Sequence, residues 1–260
     1  MKKGINIAFA LILSLGSMAQ EFKFEPNGRT SDLQVKINDL SSDLEIIGVE
    51  GNKIIIIATN YKGMPEKAKG LKPLSATGSE NTGIGLRVTQ EGNEVQISGA
   101  SRSANDGRYQ IKLPKSTKLY VDYQGWDGGD VLIENMTSEV EISSNISDLV
   151  FKDVTGPIVA NTLSSNIEVR FSSLNQSSPT SLSSTSGDID VSIPILTKGN
   201  FDLSTISGEI YTDLDFEIDT EKSDLKRIGG GTSTKATLNG GGVKMSIHCI
   251  SGNVFIRKGE

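Results

Sequence analysis

The sequence predicts an all-β protein: a β-solenoid with coils of about 22 residues, preceded by a less regular β region. Three observations carry this. Small-residue pairs recur at a nearly constant interval, apolar residues alternate with polar ones around them, and no later segment has the periodicity of an amphipathic helix.

The pairs are Ser164-Ser165, Ser186-Gly187, Ser207-Gly208, Gly229-Gly230 and Ser251-Gly252. Their second members, Ser165, Gly187, Gly208, Gly230 and Gly252, are 22, 21, 22 and 22 residues apart. They are read as the turns of the repeat, since small residues let the backbone bend without a Cβ clash. After four of them apolar or β-branched residues alternate: Ile167, Val169, Phe171; Ile189, Val191, Ile193; Ile210, Thr212, Leu214; Val254, Ile256. Alternation also precedes the pairs, as in Ile158, Ala160, Thr162 and in Met245, Ile247, Cys249. The Gly229-Gly230 copy is weaker, with Thr232, Thr234 and Ala236 behind it but Arg227 where a small residue is expected. Stacked coils place equivalent residues in columns about 4.8 Å apart, joined by parallel hydrogen bonds. Ile167, Ile189, Ile210 and Val254 should therefore lie one above another. No coil buries its apolar face alone, so about three or more must stack. An antiparallel sandwich would also give short alternating strands, but it does not account for so constant a spacing.

Upstream, the strand candidates are Leu33–Ile37, Leu44–Ile47, Lys53–Ile57, Leu86–Val88, Val95–Ile97, Tyr109–Leu113 and Leu119–Val121. A basic stretch from Lys62 to Pro73 reads as a solvated loop. The Gly- and Asp-bearing turn around Trp126 marks an internal boundary. The expected organisation is 1–19 signal peptide, 20–127 irregular β region and 128–260 solenoid repeats, or 20–260 as one continuous domain.

Residues 1–19 read as an address. Lys2 and Lys3 precede an apolar run from Ile5 to Leu15, and Ser17 and Ala19 occupy the small positions of a signal-peptidase site. Cleavage is expected between Ala19 and Gln20. The run is shorter than the roughly 20 residues a membrane-spanning helix needs. The expected location is outside the cytoplasm: periplasm, cell surface or medium.

Composition narrows the function. There are 32 acidic against 26 basic residues, 5% aromatics, one Cys and one His. One Cys excludes a disulfide framework and a Cys-based zinc cluster. An acidic chain with few aromatics cannot neutralise phosphates or stack bases, so nucleic acid is not an expected partner.

Several stretches in fixed order carry a resemblance: Ile111-Lys112-Leu113-Pro114-Lys115, Gly129-Asp130-Val131-Leu132-Ile133, then Ser186-Gly187-Asp188-Ile189 and Ser207-Gly208-Glu209-Ile210. Leu238-Asn239-Gly240-Gly241-Gly242 and Ile250-Ser251-Gly252-Asn253-Val254 complete it. Together they resemble the bacterial "putative adhesin" family of β-strand repeats, a domain of unknown function, from about Leu33 to the C-terminus. The resemblance implies an exported, solenoid-like protein of the cell envelope or surface and supplies no catalytic residues. The chain departs from the family pattern in having Ser144 and Ser165 where Gly is usual, and in a Ser-rich insert from Ser172 to Ser181.

Few residues could carry chemistry. Alternation points His248 to solvent in a column with Ser183 and Ser204, without the shielding and orienting partner a catalytic triad needs. Cys249 falls in a column of small inward residues with Thr205, Ser184 and Thr162, which reads as packing. Gly240-Gly241-Gly242 lacks the Lys-Ser/Thr of a phosphate loop and reads as a turn. Asp188 and Glu209 hold the first position after their turns, with Asp190 two residues on. Stacked as neighbours they would sit about 5 Å apart, repelling by only about 0.8 kcal/mol in water. Such a face could serve glycoside hydrolysis if one carboxyl were shielded, or hold calcium; surface solubility also accounts for it. The expected function is a non-catalytic envelope or surface scaffold for binding or adhesion. No cofactor, metal or catalytic residue is assigned. The sequence assigns no partner; a glycan, another envelope protein or a second copy meeting an open end coil are the candidates. The alternatives are a carbohydrate-active β-helix enzyme and a purely structural envelope component.

Overall fold

A computed structural model describes residues 19–63, 65–68, 70–71, 78–123, 129–218 and 231–259. Residues 1–18 of the expected signal segment 1–19 and the turn residue Gly230 lie outside this set. So do Lys69, Lys72 and Pro73 of the basic stretch, and Trp126 of the expected boundary turn.

The architecture is two parallel-stacked sheets, with each coil giving one strand to each. Coils consist of a strand in sheet B, a corner, and a strand in sheet A. In chain order they are β2 (Gln34–Asn38) with β3 (Asp43–Val49), β6 (Glu94–Gly99) with β7 (Arg108–Pro114), and β8 (Lys118–Tyr123) with β9 (Val131–Glu134). Next come β10 (Val140–Ser144) with β11 (Leu149–Val154), β12 (Ile158–Thr162) with β13 (Ile167–Phe171), and β14 (Thr180–Ser186) with β15 (Ile189–Pro194). The last are β16 (Gly199–Ser207) with β17 (Ile210–Thr212), and β20 (Lys244–Ser251) with β21 (Val254–Gly259). Every contact between these coils is parallel.

Five further strands pair antiparallel at the ends, leaving the β17 edge of sheet A without one among the described residues. At one end β4 (Ile54–Thr59) lies on β7, β1 (Gln20–Phe24) on β4, and β5 (Leu86–Glu91) on β6. At the other, β19 (Thr232–Leu238) lies on β16, and β18 (Glu217–Ile218) on β19. A solenoid end offers a row of unpaired backbone groups, and a strand of reversed direction interrupts the parallel template that a second copy would extend.

The coils do not stack in the order in which they are made. Sheet A runs β1-β4-β7-β3-β9-β11-β13-β15-β21-β17, and sheet B follows the same exchanges. The first coil, β2/β3, lies between β6/β7 and β8/β9. The last, β20/β21, lies between β14/β15 and β16/β17. Ile167, Ile189, Ile210 and Val254 do share a column, but Val254 sits between Ile189 and Ile210. The weak copy after Gly229-Gly230 is not a coil. Its Thr232, Thr234 and Ala236 belong to the antiparallel β19, where Thr234 faces Leu203. Along β19, Thr232 and Thr234 are half-buried, Lys235 is exposed, and only Ala236 and Leu238 are buried.

The core lies between the sheets in continuous columns. On sheet B one runs Ile97, Ile37, Val121, Ile142, Ala160, Leu182, Ile247, Leu203. On sheet A its counterpart runs Ile56, Ile111, Ile46, Ile133, Phe151, Val169, Val191, Ile256. All are buried and belong to one cluster. Full burial of each such side chain contributes about 1.5–3 kcal/mol. The columns run on through strands from both sides of position 127, and the region before it supplies two complete coils and the sheet B strand of a third. Its sequence looks irregular because the capping strands β4 and β5 are spliced between coils.

Two ladders hold the corners between sheets. Asn166 N donates to Asp148 Oδ1 (2.9 Å), Asp188 N to Asn166 Oδ1 (2.9 Å), Asn253 N to Asp188 Oδ1 (2.7 Å) and Glu209 N to Asn253 Oδ1 (3.1 Å). Each short polar side chain thus satisfies the backbone of the next rung, which corners otherwise leave unpaired. Behind this ladder, carbonyls accept from small inward side chains: Ser184 Oγ to Ser165 O (3.0 Å), Cys249 Sγ to Gly187 O (3.1 Å) and Thr205 Oγ1 to Gly252 O (2.8 Å).

Cys249 therefore takes a hydroxyl's place in a ladder. Burial, with Asp188 nearby, pushes its thiol above the ordinary range. Native protein at pH 8 should alkylate with iodoacetamide far more slowly than protein in urea, because little thiolate is present and access is poor. Cys249→Ser should change stability by under about 0.5 kcal/mol, whereas Cys249→Ala, which strands the Gly187 carbonyl, should cost about 1 kcal/mol. Equal urea midpoints for the two variants would remove the ladder role.

Candidate functional site: an outward face at the end of sheet A

The corner turns position the acidic residues that the sequence singles out. Gly187 and Gly252 have φ of 150° and 152°. A Cβ at Gly187, Gly252 or Gly208 would strike the carbonyl oxygen of the preceding rung: Ser165, Gly187 and Gly252 respectively. Ser165 carries a side chain at the equivalent corner, where its hydroxyl bonds Thr162 Oγ1 at 3.0 Å. The small residues thus allow rungs to approach at the corner, and the residue after each turn points its side chain along the stack.

This geometry separates the expected carboxylate pair. Asp188 and Glu209 are not neighbours, because the inserted β21 brings Asn253 between them. An Asn amide in that place sets the two carboxylates one rung further apart than the adjacent pair the sequence suggests. Among the described residues no group of three His, Cys, Asp or Glu could hold a metal ion. Asp190, two residues on, accepts from Arg257 Nε through both oxygens at 2.9 and 3.0 Å. That bond holds the guanidinium pKa above its usual value. Glu209 Oε2 accepts from the Tyr211 hydroxyl at 2.8 Å, which raises the phenol pKa.

The insertion also creates something that sequence order concealed. Tyr211 and Phe255 are register partners on β17 and β21. Their rings stack with centroids 5.3 Å apart and planes 12° from parallel. The Arg257 guanidinium carbon lies 5.2 Å from the Phe255 ring centre, on the strand that also meets Asp190. An ordered row results on the outer face: the Asp190–Arg257 pair, Phe255, then Tyr211 on the outermost strand of sheet A. Tyr211 remains 48% exposed. Asp213 accepts from the Lys258 backbone at 2.8 Å, and Asp215 lies 3.9 Å from Lys258 Nζ. Outward alternation in Val254-Phe255-Ile256-Arg257 is visible in the sequence. What hides the row is that residues 44 apart become neighbours out of chain order.

Two other features are weaker. His248 is exposed on sheet B, between Ser183 and Ser204, with Nδ1 2.7 Å from Ser204 Oγ. Among the described hydrogen bonds no carboxylate orients the ring. At the far end of the stack a polar cleft of about 460 Å³ is lined by Ser41, Asp43, Asn60, Arg102, Asp106 and Arg108 among others. An exposed Asp43–Arg108 pair (2.8 Å) occupies part of it. Its lining is polar and carries no aromatic surface.

The family model Toastrack DUF4097 matches residues 127–257, half of the chain. The chain belongs to the Toastrack DUF4097 family. That family is a domain of unknown function. The strands from β9 to β20 and most of β21 fall within the Toastrack match, and the first coils extend the same sheets beyond it. The chain is also similar to a crystal structure from Clostridium sporogenes ATCC 15579, titled as that of a "putative cell adhesion protein". That likeness has a TM-score of 0.50 and 13% identity, over 93% of this chain and 100% of that one, and it concerns the fold. No curated protein matches the Toastrack chain.

Proposed function

We propose that this Toastrack protein is an exported, non-catalytic scaffold of the cell surface that presents the outer face of sheet A for binding. The observation that carries the reading is the state of the candidate carboxylates. Asp188 holds the Asn253 backbone, Asp190 holds Arg257, and Glu209 holds Tyr211. Groups so engaged on an open sheet surface stiffen a display face, whereas general acid–base work needs a proton-exchanging group at a shielded site. The sequence supports export. The expected cleavage position, Ala19 to Gln20, falls immediately before the edge strand β1, which starts at Gln20. The name of the Clostridium protein agrees with a surface role. A column-bonded two-sheet rod suits presentation, since its outer side chains vary without disturbing the core.

The test has two arms. Intact-mass analysis of protein exported by living cells should give a chain beginning at Gln20, and protease added to whole cells should remove it. Incubation with soluble polysaccharides should give no reducing-end release above background. A cytoplasmic, uncleaved chain would overturn the location. Turnover that disappears in Asp190→Asn or Glu209→Gln would overturn the non-catalytic reading.

A further inference from the structure

The row on sheet A ends abruptly, and its end has a shape. Phe255 is covered on both sides, by Tyr211 and by the Asp190–Arg257 pair. Tyr211 has Phe255 against one ring face, while on its other side sheet A has no further strand among the described residues. Nearly half of Tyr211 is left exposed on the outermost strand. The Tyr211 ring is also fixed in orientation, tied by its hydroxyl to Glu209. A held ring loses less freedom when it gains a partner.

We propose that Tyr211 is the stacking platform of a glycan site and that the ring it takes is a neutral or amino-bearing pyranose. The ligand class deepens the surface-scaffold reading and rests on it. An aromatic face is electron-rich and attracts the polarised C–H bonds on one side of a sugar ring. Sugar hydroxyls need fixed polar partners at the rim, and the Glu209 carboxylate stands there with an oxygen beyond the one that binds Tyr211. Charge selects within the class. Asp190, Glu209, Asp213 and Asp215 outnumber Arg257 and Lys258, so a uronic or sialic acid meets net repulsion and an amino sugar net attraction. Stacking on one exposed ring gives weak single-site binding, and a surface protein gains strength from many copies meeting a repeating polymer.

The experiment is a glycan array carrying neutral, amino and acidic glycans, probed with the mature chain from Gln20 and followed by calorimetric titration of the best binder. The expected result is binding to neutral or amino pyranoses, reduced about tenfold or more in Tyr211→Ala. Tyr211→Phe keeps the ring and should stay within about threefold. Thermal melts of both variants should match the parent, since β17 is an edge strand. If Tyr211→Ala does not fold, Asp213→Lys, beside the platform, is the second variant: it should weaken amino-sugar binding and leave neutral-sugar binding in place. Absence of glycan binding, binding unaltered in Tyr211→Ala, or preference for acidic glycans would each overturn the proposal. In those cases, protein still removable from whole cells leaves the surface location standing and discards the ligand alone.

Discussion

Gly252→Ala should destabilise the protein by about 4 kcal/mol or more, among the largest effects a single methyl group can have. The added carbon would fall on the Gly187 carbonyl, and the obstacle is backbone on an interior rung. Neither side can yield. The Gly187 coil is hydrogen-bonded to β13 on its far side, and the Gly252 coil to β16, which β19 covers in turn. Gly187→Ala meets the Ser165 carbonyl in the same way and should cost a similar amount. Gly208→Ala should cost less although its clash with the Gly252 carbonyl is as close, because β17 is the outermost strand and can retreat. Gly240→Ala supplies the contrast. Its φ of 79° disfavours alanine, but nothing lies within 4 Å, so about 1 kcal/mol is expected. Urea unfolding of the four variants should rank them in that order. Gly252→Ala behaving like Gly240→Ala would show that the corner does not hold the rungs at the described separation.

Removing residues 244–260 should do more damage than a loss of 17 terminal residues ordinarily does. In sheet B, β16 bonds β20 and β19; in sheet A, β17 bonds β21. Without the last coil, β16, β17, β18 and β19 have no strand contact with the rest of the stack. The faces left on β14 and β15 were covered by Met245, Ile247, Val254 and Ile256, all fully buried. Limited proteolysis of the shortened chain should degrade residues 199–239 at once and leave a core ending near Pro194. Protection of 199–239 comparable to the full chain would mean that β16 and β17 can dock directly on β14 and β15. The full-length order would then not be the one dictated by contacts.

Much of this fold is legible in the sequence, and the illegible part has a physical cause. Alternation identifies strands because a strand with one face in the core must bury every second residue. Val95-Gln96-Ile97 and Tyr109-Gln110-Ile111 are as readable as the later repeats. The recurrence of small residues reports the corner where rungs come closest. Stacking order is different. Val254 covers Ile189 as well as Ile210 would, since parallel pairing rewards any apolar, β-branched residue in that column. A periodic pattern thus names the members of a column without ordering them. Asp188 and Glu209 appear adjacent for that reason, and the contact between Tyr211 and Phe255 is hidden for the same reason. The antiparallel turn-back of β19 leaves a faint trace: its inward run of Thr232, Thr234 and Ala236 holds no large apolar residue before Leu238.

Because the first and last coils are each set one place in from the ends of the stack, the rod has no growing tip in the polypeptide. A unit duplicated at either terminus would have nowhere to lie, for the outermost places are held by segments made earlier or later and, except at the β17 edge of sheet A, sealed by reversed strands. Units copied between β8 and β15, where the chain climbs rung by rung, would slide in without disturbing either lock. Descendants of this gene that differ in reach should therefore differ in their middles and share their ends.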